Sequence, residues 1–466
     1  MTADLAEKRR KSDDADVGAC KKVHGVVSRS LYAYLETIDR KKLDFDFEKV
    51  CSVTLSPLNV YCCLVCGKYF QGRRQNSPAF LHAVNENHRV YINVKSLKVY
   101  LLPNGVEVKD ENKIEAINQI RYAISPTFSE NEIRQFPRDC WDLNNNHYLN
   151  GYVSLTNTSR NDCANVAIML LAHIIPIRDF LLLLPLSGLT QFLEKLSMLV
   201  KKVWSVSLFK QHVSVDEFLS FVAVTFKGSI TVQQDPRYFL LWLINSISKV
   251  SKEMRDLLVE NCQGIIEINE TFFKSVKDDK GDVQEFIRDE ANQKNIVSPF
   301  WTLSLDLLPK PVFKDGLNAN SLPQVQLEEL LKKFNGSNEH HLPHCVRRYK
   351  LKKLPRYLIL HFDRFNKKDE TPVKSRNQTL IEFPTELKIG EHKYSLVSNI
   401  VHEGEKESTM GTTRLERDEN SHWKIQLRYA TSSKWIEIDR SVLRFKEKEL
   451  LFLSESYMQV WKKIES

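Results

Sequence analysis

Apolar residues alternate with polar ones in two short stretches near the start of the chain, residues 90–94 and 97–101. Alternation with a period of two predicts half-buried β-strands, and the Pro-Asn-Gly sequence at 103–105 is typical of a turn. Residues 354–365 differ, because their apolar side chains run together over the length of a strand. Such a run predicts a central strand that is covered on both faces.

The longest apolar stretch, residues 166–186, has the composition of a protein core. A histidine, a proline and two charged residues interrupt it between positions 173 and 179. A membrane-spanning helix needs roughly twenty predominantly apolar residues, so no membrane segment is expected here. A further helix is predicted to begin at Pro236, because proline suits a first helical turn and Asp235 suits the cap before it.

Length and composition describe a globular protein with more than one domain. The chain has 466 residues, of which 42% are hydrophobic and 27% are charged, and this suits two or three domains with substantial cores. The formal net charge of +8 permits an RNA-rich partner without requiring one. Nine cysteines, an odd number in a chain without a secretion signal, indicate a reducing compartment rather than a disulfide framework.

Residues 1–27 have the composition of a disordered polar tail. They contain no apolar core of a signal peptide, and a basic run at 8–11 is followed by two aspartates. The basic run is also compatible with nuclear import. The sequence leaves both interpretations of this run open.

Two cysteines and two histidines have the spacing of a zinc site. Two residues separate Cys63 from Cys66, fifteen separate Cys66 from His82, and five separate His82 from His88. Two thiolates and two imidazoles at such spacings surround a tetrahedral Zn²⁺ ion. The sequence therefore predicts one structural zinc ion, and the alternative is four unrelated reduced side chains.

The surroundings of these four residues complete the interpretation. Residues 80–88 are predicted to form a helix whose end carries both histidines. Cys51 is treated as a reserve ligand, and Cys62 is assigned to packing because adjacent cysteines seldom both reach one ion. A self-contained nucleic-acid-binding finger is the competing interpretation, but the strands predicted at 90–101 continue the pattern into a larger domain.

The loop at 151–165 resembles the cysteine box of ubiquitin-specific proteases, Leu-x-Asn-x-Gly-Asn-Thr-Cys-Tyr-x-Asn, with its nucleophile missing. Aligning Asn165 with the last asparagine of that pattern places Leu155 and Asn157 on their expected positions. Asp162 then occupies the position of the nucleophile. Because a carboxylate is a weak nucleophile toward an amide, this substitution predicts loss of isopeptide hydrolysis.

Two other registers of the loop are possible. Cys163 lies one residue too late in the preferred register, and moving it into place loses both asparagine anchors. Placing Ser159 on the nucleophile instead puts Asn165 where the following helix needs an apolar residue. We therefore interpret Cys163 as a small, half-buried thiol at the start of a core helix.

Later segments resemble the remaining boxes of the same family, in the same order. Residues 233–240 resemble its Gln-Gln-Asp-x-x-Glu-Phe box, and residues 354–365 resemble its Leu-Pro-x-x-Leu-x-x-x-Leu-x-Arg-Phe strand. Residues 394–404 resemble the start of its histidine box. A tryptophan segment at 435–439 resembles the family's Trp-x-x-Phe-Asp.

This resemblance implies roles for the residues of a degenerate triad. His422 corresponds to the general base, Asp439 to its orienting carboxylate, and Asn157 lies near the oxyanion site. With Asp162 in place of the cysteine, none of these residues is expected to be catalytic. Ser159 or Arg160 also replaces the family's glycine before the nucleophile, which obstructs the channel for a Gly-Gly tail.

Residues 32–106 resemble the ubiquitin-binding-type zinc finger that often precedes such proteases. Members that bind ubiquitin hold its free carboxylate with an arginine shortly after the last zinc cysteine, where this chain has Lys68. Lysine offers a point charge rather than a bidentate fork, which leaves ubiquitin binding doubtful. The family's second Cys-x-x-Cys sites are absent, and the histidines and cysteine at 340–345 are interpreted as a polar loop rather than a substitute metal site.

Together these resemblances imply an α+β protein. Residues 1–27 form the disordered tail, and residues 28–140 form a small zinc-stapled α/β finger domain. Residues 148–466 form a papain-like ubiquitin-specific-protease fold with thumb, palm and fingers.

The loop at 161–165 and the segment at 453–463 most resemble the protease-like assembly factors of the spliceosomal tri-snRNP. That resemblance implies a nuclear, non-catalytic splicing factor that promotes assembly or stability of the tri-snRNP by contacting its proteins. Two alternatives from other classes stay open. One is an active cysteine deubiquitinase that uses Cys163, and the other is a zinc-finger RNA-binding protein.

Overall fold

The computed structural model divides the chain into two compact units, Met1–Ile114 and Glu115–Ser466. The predicted tail at 1–27, Ser159 and the glutamines at 233–234 lie outside the described residues. The structure describes residues 33–46, 48–108, 115–158, 160–186, 188–225, 235–277, 283–307, 323–365, 376–404, 421–429 and 434–465.

The first unit is built on an antiparallel sheet with an α-helix packed against it. Its elements are β1 (Val60–Cys63), β2 (Tyr69–Gln71), α1 (Pro78–Asn85), β3 (Val90–Asn93), β4 (Val99–Leu101) and β5 (Val106–Glu107). The strand order is β2-β1-β3-β4-β5. Tyr61, Tyr91 and Ala83 form part of the core between sheet and helix. The strands predicted at 90–94 and 97–101 are confirmed as β3 and β4.

The turn between β1 and β2 requires a glycine. Gly67 has a φ of +76°, and a Cβ there would lie 2.0 Å from the Lys42 carbonyl oxygen. The predicted helix at 80–88 is wrong at its C-terminal end, because α1 ends at Asn85. Asn87 adopts a φ of +56°, which breaks the helix and places His88 in the loop before β3.

The helices of the second unit include one that is buried over its whole length. They are α2 (Glu115–Ile124), α3 (Glu130–Arg134), α4 (Asp162–Ala172), α5 (Ile175–Leu183), α6 (Gln191–Val203), α7 (Asp216–Thr225), α8 (Pro236–Val250), α9 (Lys252–Cys262) and α10 (Leu327–Leu331). Every residue of α4 is buried. Within the described residues no single helix is long and apolar enough to cross a membrane; α4 and α5 reach that length only as a pair bent by 89°.

The strands of the second unit form two larger sheets and three short ribbons. They are β6 (Asp139–Trp141), β7 (His147–Leu149), β8 (Ser154–Leu155), β9 (His212–Val213), β10 (Gly264–Lys277), β11 (Val283–Phe300), β12 (Leu303–Asp306), β13 (Gln324–Gln326), β14 (Asn335–His341), β15 (Cys345–Lys353), β16 (Tyr357–Asp363), β17 (Leu380–Glu382), β18 (Glu386–Ile389), β19 (His392–Glu403), β20 (His422–Arg428), β21 (Lys434–Asp439), β22 (Val442–Glu447) and β23 (Glu455–Lys463). The larger sheet has the order β12-β16-β23-β19-β20-β21-β22, with β18 paired to β19. The other, β11-β10-β15-β14, occupies the position of the predicted fingers.

Two sequence predictions locate the core of this unit correctly. The apolar run at 354–365 becomes β16, which is buried except at Asp363 and lies inside the larger sheet. Helix α8 begins at Pro236, and the Asp235 carboxylate caps it by accepting hydrogen bonds from the Arg237 and Tyr238 N–H groups. Both elements join the apolar cluster that contains α4.

The boundary between the units lies earlier than the predicted end of the finger domain at residue 140. Helices α2 and α3 and strand β6 belong to the second unit. Ile133 and Cys140 pack in the same apolar cluster as α4, which explains why this segment follows the second unit. The sequence gives little sign of this, because the segment is short and its apolar residues are scattered.

Candidate functional site

The four predicted zinc ligands of the first unit converge on one point. Their ligand atoms all lie within 4.8 Å of one another. The Cys66 Sγ is 3.4 Å from the His82 Nε2, which in turn is 3.1 Å from the His88 Nδ1. A tetrahedral ion with Zn–S bonds of about 2.3 Å and Zn–N bonds of about 2.0 Å separates its ligand atoms by roughly 3.3 to 3.8 Å. The residues therefore fit zinc by type and by spacing.

The local fold explains why these residues meet. Cys63 ends β1, the tight turn through Gly67 brings Cys66 back, and His82 projects from α1. The Phe70 ring stacks on the His82 imidazole at 4.2 Å between centroids and fixes its orientation. When bound, a zinc ion would link β1, α1 and the loop before β3.

The two neighbouring cysteines lie outside this cluster. The Cys51 sulfur accepts hydrogen bonds from the Val53 and Thr54 N–H groups at 3.5 and 3.4 Å. Cys62 is fully buried in β1. Among the described residues, neither belongs to the group that could hold a metal ion.

In the second unit, two asparagines hold the loop that leads into α4. The Asn161 N–H donates to the Asn157 Oδ1 at 2.9 Å, and the Asn165 Nδ2 donates to the Thr156 carbonyl at 2.9 Å. Asn157 and Asn165 are the anchors that selected the register of the loop. Both asparagine side chains therefore form hydrogen bonds to the backbone of the loop. Helix α4 begins at Asp162, where that register places the nucleophile.

The Asp162 carboxylate joins the helix to the larger sheet. Its Oδ2 accepts a hydrogen bond of 2.7 Å from the Trp423 N–H, at the start of β20. Burial raises the pKa of this carboxyl, while the Trp423 hydrogen bond and the charge of His422 oppose the rise. Asp162 thus bridges α4 and β20 across the cleft in which a cysteine protease would hold its thiolate.

His422 and Asp439 lie next to each other on β20 and β21. The His422 Nε2 is 3.1 Å from the Asp439 Oδ1 and 3.5 Å from a carboxylate oxygen of Glu403. Both contacts use Nε2 of the imidazole. This part of the frame keeps the arrangement of a base with its orienting carboxylate.

A lysine that the sequence interpretation did not consider changes the chemistry of this pair. The Lys424 Nζ lies 3.0 Å from the Asp439 Oδ2 and also contacts Glu403. Burial opposes the charge on Asp439, but the hydrogen bond and charge of Lys424 prevail and lower its pKa. Burial likewise opposes the charge on Lys424, whereas Glu403 and Asp439 raise its pKa overall. Asp439 is therefore shared between an imidazole and an ammonium group.

Lys424 also decides against a metal at this place. Glu403, His422 and Asp439 have ligand atoms within 4.8 Å of one another. The lysine ammonium already contacts both carboxylates and supplies the positive charge that a cation would bring. The sequence did contain a signal for Lys424. It lies two residues after His422, and residues two apart on a strand point to the same face of the sheet.

Cys163, the alternative nucleophile, is an inert core residue in this fold. It is 1% exposed, and burial first, then the charges of Asp162 and Asp235, raise the pKa of its thiol to about 12. A thiol reacts as its thiolate, and a pKa this high leaves almost none at neutral pH. Cys163 was expected to be half-buried, and it is fully buried instead, because α4 is buried from its first residue.

Two other predicted features, and one residue that was not predicted, have structural positions. Lys68 is exposed in the turn after Cys66. The Arg73 guanidinium, which sequence reasoning passed over, lies 4.3 Å from the centroid of the Tyr100 ring. In the segment at 340–345, His340 packs edge-on against Tyr349, and the segment forms no metal-binding group among the described residues.

Comparison with known proteins places both units in one family context. Residues 49–113 match the family described as Zn-finger in ubiquitin-hydrolases and other protein, and residues 146–461 match Ubiquitin carboxyl-terminal hydrolase. Pre-mRNA-splicing factor SAD1 of Saccharomyces cerevisiae is 42% identical, with 98% of this chain and 99% of that protein covered. Probable mRNA-splicing protein ubp10 of Schizosaccharomyces pombe is 36% identical, with coverages of 94% and 89%.

A human protein and a solved structure extend these similarities. Human ubiquitin carboxyl-terminal hydrolase 39 is 32% identical, with 92% of this chain and 79% of that protein covered. The crystal structure of an essential yeast splicing factor superimposes with a TM-score of 0.78 at 42% identity, covering 93% of this chain and all of that one. The predicted fold class, a zinc-finger domain before a ubiquitin-specific-protease fold, is confirmed. The chain belongs to the ubiquitin carboxyl-terminal hydrolase family.

Proposed function

We propose that this chain is a non-catalytic pre-mRNA splicing factor. It acts in the nucleus as a pseudo-deubiquitinase that promotes assembly or stability of the spliceosomal tri-snRNP through protein–protein contacts. The observation that carries the proposal is its 42% identity to the splicing factor SAD1 over nearly the whole of both chains.

The geometry of the cleft supports the non-catalytic part of the proposal. Asp162 stands at the start of α4, where the loop register places the nucleophile, and it is hydrogen-bonded to the Trp423 backbone. Acyl transfer from an isopeptide needs an activated thiolate at that position. Asp162, His422 and Asp439 are then remnants of a triad, and Asn157 acts as a loop anchor near the former oxyanion site.

The first unit has a structural role in the same proposal. Cys63, Cys66, His82 and His88 hold one zinc ion, which stabilises the finger fold by joining elements that share only a small core. Lys68 is exposed and offers a single charge, so binding of the ubiquitin carboxylate is not part of the proposed function.

Replacement of the yeast relative tests the splicing role. Cells of Saccharomyces cerevisiae depleted of SAD1 would express this chain, and tri-snRNP level and unspliced pre-mRNA would be measured. We expect the chain to restore both, and His422→Ala to restore them equally well. Failure by a folded, nuclear protein to restore the tri-snRNP would contradict the proposal.

A ubiquitin suicide probe tests the absence of catalysis separately. The purified chain should form no covalent adduct, and Cys163→Ser should behave like the unchanged protein. An adduct that disappears in Cys163→Ser would establish a deubiquitinase instead. These two experiments distinguish a scaffold from an enzyme that also takes part in splicing.

A further inference from the structure

The edge strand of the larger sheet, β22, carries apolar side chains that stay largely exposed. Leu443 is 38% exposed and Phe445 is 61% exposed, although both belong to a strand of the main sheet and the Tyr429 ring contacts Phe445 edge-on. Leu450 and Leu453 of the short 3-10 helix that follows are exposed as well. Contiguous apolar patches are uncommon on the surface of soluble proteins, and the larger ones often mark interaction sites.

The register of β22 explains why these side chains are uncovered. Leu443 lies opposite Ile438, and Phe445 lies opposite Ile436, so both pairs share one face of the sheet. Ile436 and Ile438 belong to the apolar cluster beneath α4. The apolar face therefore continues one strand beyond the residues that the helices bury.

The outer edge of β22 is also open. Its inner edge pairs with β21 along the whole strand, and no strand of the described part of the chain pairs with the outer edge. An open edge presents backbone N–H and C=O groups that can pair with an added strand. The edge and the apolar face together suit an extended segment rather than a helix.

Charge indicates which segment would fit. The other face of β22 carries Val442 and Arg444, and Arg440 precedes the strand; both arginines are exposed. Arg444 lies across from Glu437 of β21. Lys446 lies on the same face and is paired with Glu437. A second copy of β22 would place arginine and lysine side chains opposite one another, which disfavours self-pairing.

We propose that β22 is a docking edge for an extended segment of a partner protein in which apolar residues alternate with acidic ones. The apolar side chains of the segment would contact Leu443 and Phe445, and its carboxylates would face Arg440 and Arg444. The inference deepens the proposed function, on which it rests, because it assigns a surface and a peptide chemistry to the protein–protein contacts of a scaffold.

Binding of short synthetic peptides to the full chain tests the proposal. The probe is a fluorescent peptide of alternating valine and glutamate, and the comparison peptides alternate valine with lysine or scramble the valine–glutamate order. We expect only the alternating acidic peptide to bind and to slow hydrogen exchange of the β22 amides. Equal binding of the lysine peptide, no binding of the acidic one, or unchanged exchange in β22 would overturn the proposal.

Two variants with matched controls locate the site. Phe445→Ser should weaken binding of the acidic peptide about tenfold, as loss of an aromatic anchor does. Phe286→Ser on the exposed strand β11 should leave this binding unchanged. Arg444→Glu should reverse the preference between the acidic and lysine peptides, whereas Arg255→Glu on α9 should leave it unchanged. Equal effects of Phe286→Ser and Phe445→Ser would overturn the assignment to β22.

Sedimentation of the free chain tests the other occupant of this edge. A dimer that Arg444→Glu or Phe445→Ser dissociates would identify a second copy as the partner and overturn the proposal. Peptide binding does not depend on splicing, so its failure leaves the proposed function intact. Conversely, failure to replace the yeast relative would leave a positive peptide measurement standing.

Discussion

The Cys/His site of the first unit and the cleft of the second unit have the same requirement. Each needs side chains from distant segments to meet at one point. In the first unit the four ligand atoms meet within 4.8 Å and every residue type suits zinc. In the second unit the frame survives, but Asp162 bonds to backbone and Lys424 shares Asp439. The difference teaches that a fold can keep the geometry of a site while its polar groups are reassigned to holding strands and helices together.

The largest expected effect separates a metal-dependent unit from one that needs no metal. Cys66→Ala should unfold the first unit, because zinc binding in small sites is worth on the order of 10 kcal/mol. Cys62→Ala is the matched control, because Cys62 is a cysteine next to Cys63 in β1 that lies outside the group of four zinc-binding residues. Zinc content and thermal unfolding would be measured, and a folded Cys66→Ala unit with no zinc would break the comparison.

The next effect concerns the charge cluster at the degenerate triad. Asp439→Ala should destabilise the second unit by about 2 to 3 kcal/mol, because it leaves the Lys424 ammonium half-compensated in a buried place. The lowered pKa of Asp439 means that its contribution is present above the unfolded carboxyl pKa of about 4 and is lost as the pH falls further. Chemical unfolding of both proteins across pH should show the gap closing in acid. A gap that persists at low pH would assign the effect to packing.

A smaller effect tests the bridge between α4 and β20. Asp162→Ala should cost about 1 to 2 kcal/mol, because the buried Trp423 N–H loses its acceptor. Asp162→Asn keeps an acceptor without a buried charge and should be more stable than the unchanged protein at neutral pH. The raised pKa of Asp162 makes the stability of the unchanged protein fall as the pH rises through that pKa, so this advantage should vanish in acid. An asparagine variant as unstable as the alanine variant would disprove the bridge.

The smallest expected effect is on catalysis. Asp162→Cys should gain no measurable cleavage of a ubiquitin reporter, because Lys424 still shares Asp439 and Arg160 stands where the family pattern has asparagine. Arg160 has a φ of +55°, a region that suits asparagine better than arginine, so arginine is held there against its backbone preference. Misplaced oxyanion donors alone lose about a hundredfold in rate. Rapid cleavage by Asp162→Cys would show that the nucleophile was the only lesion.

Local patterns in the sequence were enough to predict parts of both units. Pro236 after Asp235 identified the start of α8, and the uninterrupted apolar run identified β16, because each signal lies within one element. The cysteine and histidine spacing likewise brought four ligands together correctly in space.

The features that sequence reasoning missed depend on contacts between elements. The pairing of Lys424 with Asp439 follows from β20 lying beside β21, which no local pattern specifies. The bond from the Trp423 N–H to Asp162 joins residues far apart in the chain. The exit of His88 from α1 follows the left-handed conformation of Asn87, which a helix drawn through both histidines did not allow for.

The bridge from Asp162 to Trp423 also affects the return of a nucleophile to this position. Replacement of Asp162 by cysteine would remove the acceptor of a buried N–H, since sulfur accepts hydrogen bonds only weakly. Such a mutant should lose stability at the same step that introduces a thiol. The hydrogen bond therefore sets a cost in folding free energy on placing a nucleophile at this position.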